Sequence, residues 1–255
     1  MKVTDAWHSQ RLGCEVTVAR WGEVGMPFLI YPTAGGDAEE IERFLVIDTL
    51  SEYLEAGLIK VYSCDSIAGR AMLKGEGSPA HRMHLMNQFL DFVGEELVPA
   101  IRADCGGEEL EMLVGGASIG AFNALATICR FPGVFAKALC MSGTYDLERF
   151  LKAPVTRDFV VSSPIHYLDD LEGPRLEALR ERFVLLASGE GKAEDIGESW
   201  RAAALLGKRG IPNRVDSWGE EWIHDWPTWR NMLHRYTPEL TGGSSPSSEA
   251  DQAGR

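Results

Sequence analysis

Apolar and polar positions along the chain follow two rhythms. Short strand-like stretches fall at Val16 and Val18 and over residues 28–31, 59–62, 110–114, 136–141, 183–187 and 214–218. Between them, apolar residues recur with a helical period over residues 38–55 (closed by Gly57), 80–101, 122–129 (before Pro132-Gly133), 196–208 (ended by Gly210) and 226–236. A strand followed by a helix, repeated along the chain, predicts an α/β fold: a mainly parallel twisted sheet with helices on both faces. No inserted stretch between the expected strands is long enough for a large lid. The glycine-rich segment 66–79 reads as a mobile rim or a solvated connection. Residues 241–255 have almost nothing to bury and are expected to form a disordered tail beyond a domain spanning 1–240.

Composition narrows the class. With 255 residues, 45% hydrophobic and 25% charged, the chain can bury one large core and is expected to form one domain. A formal net charge of −13 argues against nucleic acid and against an anionic membrane surface, both of which reward lysine and arginine. No apolar run reaches the length of a membrane span and residues 1–10 lack the layout of a signal peptide, so a cytoplasmic location is expected. The cysteines (Cys14, Cys64, Cys105, Cys129 and Cys140) are odd in number and show no C-x-x-C spacing. They predict neither a disulfide framework nor a zinc site.

Candidate chemistry enters at Gly116-Ala117-Ser118-Ile119-Gly120, a G-x-S-x-G between a predicted strand and a predicted helix. A serine on such a turn presents its hydroxyl above the sheet edge, and the flanking glycines avoid Cβ collisions with crossing backbone. Because the pentapeptide also arises by chance, its strand-turn-helix setting carries the weight. Ser118 is the candidate nucleophile. Its base and acid should follow it in the order serine, acid, histidine. Of the histidines after Ser118, His224 lies in the loop between the strand at 214–218 and the last helix, where a base can reach a strand-end serine. His234 falls inside that helix, and His166 has no strand end to place it. The loop after residues 183–187 offers Glu190, Glu194 and Asp195. Glu194 is the preferred acid, Asp195 the second and Glu190 the third; the helix dipole also favours acidic residues here, and one or two of them can instead merely cap the helix. For a developing oxyanion, the N–H of Ile119 is one expected donor, and Thr33 or Ala34, in the small-residue loop 32–37, supplies the other.

The segments 31–37 (YPTAGGD), 116–122 (GASIGAF), 141–146 (MSGTYD), 189–194 (GEGKAE) and 224–229 (HDWPTW) together resemble the esterase family of α/β-hydrolases that includes S-formylglutathione hydrolases, feruloyl esterases and mycolyltransferases. The resemblance runs from about Val16 to Leu240 and implies an α/β-hydrolase fold, a triad of Ser118, Glu194 or Asp195, and His224, and no metal or organic cofactor. Ala193 stands where relatives often carry an aromatic residue, and Ile67-Ala68-Gly69 where they often carry a tryptophan, which implies altered pocket walls. The resulting expectation is a serine esterase acting on a small-molecule ester through an acyl-enzyme. Acyl transfer with the same triad, or a catalytically silent hydrolase-like binding protein, are the alternatives. The oligomeric state is left open, a homo-oligomer included.

Overall fold

The computed structural model describes residues 1–107 and 109–242, so residues 243–255 of the expected tail lie outside the described residues. Strands β1 (Lys2–His8), β2 (Glu15–Trp21), β3 (Met26–Tyr31), β4 (Ile59–Cys64), β5 (Met112–Ala117), β6 (Phe135–Met141), β7 (Phe183–Ser188) and β8 (Asn213–Ser217) form an eight-stranded sheet in the order β1-β2-β4-β3-β5-β6-β7-β8. The strands from β4 through β8 are parallel to one another, whereas β2 pairs antiparallel with both β1 and β4. This is the mainly parallel sheet covered by helices that the strand-helix alternation predicts.

The central strands are mainly apolar because both faces are covered, Lys60 of β4 and Lys137 of β6 being exceptions. Phe28 and Ile30 of β3 face one core and Leu29 and Tyr31 the other; in β7, Leu185 and Ala187 oppose Val184 and Leu186. The first face is packed by the short helices α1 (Glu40–Arg43), α2 (Val46–Thr49) and α3 (Ser51–Glu55), through Ile41, Val46, Leu50 and Tyr53. The last helix, α13 (Trp226–Thr241), joins them through Trp229, Met232, Leu233 and Tyr236. The second face is packed by α4 (Ile67–Lys74), α5 (Pro79–Phe92), a π-helical turn at Val93–Leu97, α6 (Val98–Cys105) and α7 (Ile119–Arg130). The connection from β6 to β7 adds α8 (Glu148–Leu151), α9 (Arg157–Ser162), α10 (Pro164–Tyr167) and α11 (Pro174–Arg180), and α12 (Ile196–Lys208) links β7 to β8. No large lid covers the strand ends among the described residues. No helix among them is long and apolar enough to cross a membrane.

Two local expectations are corrected, and one strand, β1, was not anticipated. Residues 38–55 do not form one helix: the step from Ile41 to Val46 is too long for a continuous buried face, and the chain breaks there at Leu45, whose φ is 62°. The 66–79 segment is not wholly a solvated connection: α4 occupies residues 67–74 and buries Ala68, Gly69 and Ala71, while residues 73–78 are exposed. Gly69 permits close packing: a Cβ there would lie 3.1 Å from the Cα and carbonyl oxygen of Ala34. Strand β1 has no apolar signature, since a mostly exposed edge strand is held by its backbone pairing with β2.

Candidate active site

Ser118 stands between β5 and α7 with φ 58° and ψ −121°, outside the regions open to an unstrained non-glycine residue. A Cβ on Gly116 would come within 2.6 Å of Gly120, and one on Gly120 within 2.8 Å of the Pro32 carbonyl oxygen. Both glycines are therefore dictated by contact, which is the physical content of the motif. The strain at Ser118 is offset by its N–H donating to the Met141 carbonyl (3.0 Å) and by the burial of α7, nearly all of whose residues are inaccessible. Ser118 itself is half-buried, and its hydroxyl makes no hydrogen bond among the described residues. Ile119 is the first residue of α7, so its N–H has no acceptor inside the helix.

Across from it, the loop after β3 is held by a buried carboxylate. Glu40 accepts from the Thr33 N–H (2.7 Å) and the Thr33 hydroxyl (2.9 Å). Burial pushes the Glu40 carboxyl above its ordinary range, opposed by these Thr33 hydrogen bonds. The Thr33 N–H is thereby committed to Glu40, whereas the Ala34 N–H has no hydrogen-bond partner among the described residues. Ala34 lines a cavity of about 200 Å³ together with Met72, Leu73, Ser118, Ile119, Thr144, Leu147 and Phe150. No charged side chain contributes to that lining.

The loops after β7 and β8 carry the other candidates. They are stitched by backbone hydrogen bonds from Glu190 to Gly219, from Gly191 to Trp222 and from His224 to Lys192 (2.9 to 3.1 Å). Glu194, its side chain 1% exposed, has Oε2 3.5 Å from His224 Nδ1, a long contact at the outer limit of a hydrogen bond. The same oxygen accepts from Ser188 Oγ (3.3 Å), and Oε1 accepts from Ser142 Oγ (2.6 Å). Ala193, just before it, has φ 66°, and Ser142 has φ 46°. Of the non-glycine residues with positive φ, Ser118, Ser142 and Ala193 thus sit at this one site, with Leu45 and Lys152 elsewhere.

The other candidates are placed apart from this pair. Asp195 is exposed at the position preceding α12, and Glu190 accepts from Ser217 Oγ (2.5 Å) at the surface. His234 pairs with Glu52, and His166 binds Glu148 and Ser163. Among the described residues no group of His, Cys, Asp and Glu is arranged to hold a metal ion. The cysteines carry free thiols, of which Cys129 is pushed up to about 12 by burial.

Several residues around the site had no role assigned from sequence: Ser142, Ser188, Trp229, Glu40 and Glu198. Glu198 is 2% exposed and accepts from the N–H groups of Tyr145 (2.7 Å) and Asp146 (2.8 Å), holding the loop that brings Thr144 and Leu147 to the cavity. For Glu198 the sequence signal was a glutamate at an inward helical position, and Ser142 and Trp229 lie in the segments 141–146 and 224–229 that carry the resemblance.

Comparison with solved structures places this geometry among known folds. A ferulic acid esterase superposes with a TM-score of 0.73 at 16% identity, covering 94% of this chain and 98% of that one. The fluorophosphonate-binding serine hydrolase F of Staphylococcus aureus gives 0.72 at 12% identity, with 94% and 98% covered. An S-formylglutathione hydrolase from Agrobacterium tumefaciens gives 0.70 at 14% identity, with 94% of each chain covered. At these identities the likeness establishes the α/β-hydrolase fold. A search of curated proteins finds no match. The model of the family described as "Putative esterase" matches residues 65–240, which span β5 to β8 with Ser118, Glu194 and His224, and the chain belongs to that family.

Proposed function

We propose that the protein is a serine esterase that hydrolyses small carboxylic esters bearing an apolar group, through an acyl-enzyme on Ser118. The observation that carries this reading is the strained Ser118 turn, which opens onto an uncharged cavity at the strand ends that also bear the Glu194–His224 pair. With His224 Nδ1–H donating to Glu194, Nε2 is left with its lone pair to act as base. His224 takes the Ser118 proton as Oγ bonds to the ester carbonyl carbon, and the carbonyl electron pair moves onto oxygen. The N–H groups of Ile119 and Ala34 are the donors for that oxyanion, and the commitment of Thr33 N–H to Glu40 favours Ala34 over Thr33. Collapse expels the alcohol with the proton from His224; water then repeats the sequence and releases the acid. No hydrogen bond joins Ser118 to His224 among the described residues; the proposed proton transfer requires the imidazole within hydrogen-bond reach of Ser118 Oγ, and catalytic hydrogen bonds commonly tighten in the substrate complex.

The apolar lining from Met72, Leu73, Leu147 and Phe150 supports an uncharged substituent beside the ester. Treatment with a fluorophosphonate and mapping of the adduct tests the reading: labelling at Ser118, lost in Ser118→Ala, is expected. Labelling elsewhere, or full turnover of an aryl ester by Ser118→Ala, overturns it.

A further inference from the structure

We infer that Ser142 and Trp229 are positioning residues that orient the acid of the proposed triad, an inference that rests on the reading of Glu194 and His224 given above. Ser142 Oγ lies 3.0 Å from Trp229 Nε1 and 2.6 Å from Glu194 Oε1. An indole N–H can only donate, so it takes a lone pair of the Ser142 oxygen and leaves the hydroxyl proton to point at Glu194. The direction of the chain is thus Trp229 to Ser142 to Glu194. With Oε1 engaged, Oε2 is the oxygen presented to His224 Nδ1.

Trp229 acts on both ends of the acid-base pair. Its ring packs perpendicular to the His224 imidazole, centroids 5.1 Å apart, while its N–H holds the hydroxyl that holds Glu194. Trp229 and Ser142 are 4% and 3% exposed, so water does not compete for these bonds. The backbone at Ser142 is kept in its left-handed conformation by its N–H donating to Ala187 O (2.7 Å) and by Glu198 gripping the amides of Tyr145 and Asp146 just beyond. A strained backbone held from both sides gives the serine side chain one direction.

The experiment uses the full chain and a short-chain aryl ester. Ser142→Ala and Ser142→Gly, both without the hydroxyl, are each expected to lower kcat about tenfold or more with KM changed less than about threefold. Trp229→Phe, which keeps a ring against His224 but has no N–H, is expected to lower kcat about threefold or more. In a Glu194→Gln background, Ser142→Ala should add less than about threefold, because no carboxylate remains to be oriented. Thermal melts identify any variant that fails to fold, and Trp229→Phe then carries the test alone. Kcat within twofold of wild type in the folded variants, or an undiminished Ser142 effect on Glu194→Gln, overturns the inference while leaving the triad intact. A silent Glu194→Gln overturns the triad reading itself, and this inference with it.

Discussion

The nucleophile side and the acid-base side of the candidate site are built by different means. Around Ser118 the geometry comes from backbone against backbone: Gly116 meets Gly120, Gly120 meets the β3 carboxyl end, and the Ser118 N–H meets Met141 O. Around Glu194 and His224 it comes from side chains, with hydroxyls of Ser142 and Ser188 on the carboxylate and an indole against the imidazole. The first construction is all-or-none because close-packed backbone does not yield by degrees. The second is graded, since each hydrogen bond to a carboxylate can be removed separately.

The largest effect separates chemistry from architecture on the nucleophile side. Ser118→Ala is expected to lower turnover of an aryl ester by about a thousandfold or more, with a cooperative melt close to wild type. His224→Ala should cost about as much, and the double variant little more than either. Additive losses would separate two residues that the proposed mechanism joins.

Next is the acid. Glu194→Gln is expected to slow acylation by roughly a hundredfold, whereas Asp195→Asn, at an exposed position, should change it by less than about tenfold. Stopped-flow acylation rates decide between them. The reverse ranking would move the acid to Asp195, and two mild effects would direct attention to Glu190.

For the backbone construction itself, Gly120→Ala is the probe. Its Cβ would sit 2.8 Å from the Pro32 carbonyl oxygen, and overpacking of this kind costs about 1–3 kcal/mol. Equilibrium denaturation with an unchanged midpoint would mean that the elbow is less constrained than its contacts imply.

The smallest effect tests the Glu40 tether. Burial raises the Glu40 carboxyl above its ordinary value, so folding favours the protonated form. Its contribution to stability is therefore present below the ordinary carboxylate range and is lost as pH rises through the raised folded value. Glu40→Gln does not titrate, so the stability of wild type relative to this variant should fall across that acid window and then level off. Parallel urea titrations over the window measure it. A rise with pH would mean that the Thr33 hydrogen bonds outweigh burial.

Much of this was legible from sequence, because it depends on local or periodic properties. Runs such as residues 28–31 and 183–187 are apolar on both faces, which marks central parallel strands, and the glycines around Ser118 are demanded by one short turn. Segments with the weakest periodicity were missed or misread: β1, an edge strand whose hydrogen bonds are backbone, gave no reading, and residues 38–55 break where Leu45 takes a left-handed conformation.

The alternation of strand and helix, the α/β class and the Ser118 turn were determined by the sequence itself, since nearest neighbours along the chain create them. What only the tertiary structure decided is which distant side chains share one place. Ser142, Ser188 and Trp229 come from three separate elements and meet at Glu194 or its neighbours because parallel strands β6 and β7 end side by side and α13 packs back across them. Glu40 and Glu198 likewise became legible only once folding had removed them from water and left backbone amides as their donors. A buried carboxylate must find such partners, and which ones it finds is a property of packing, which residue order along the chain does not spell out.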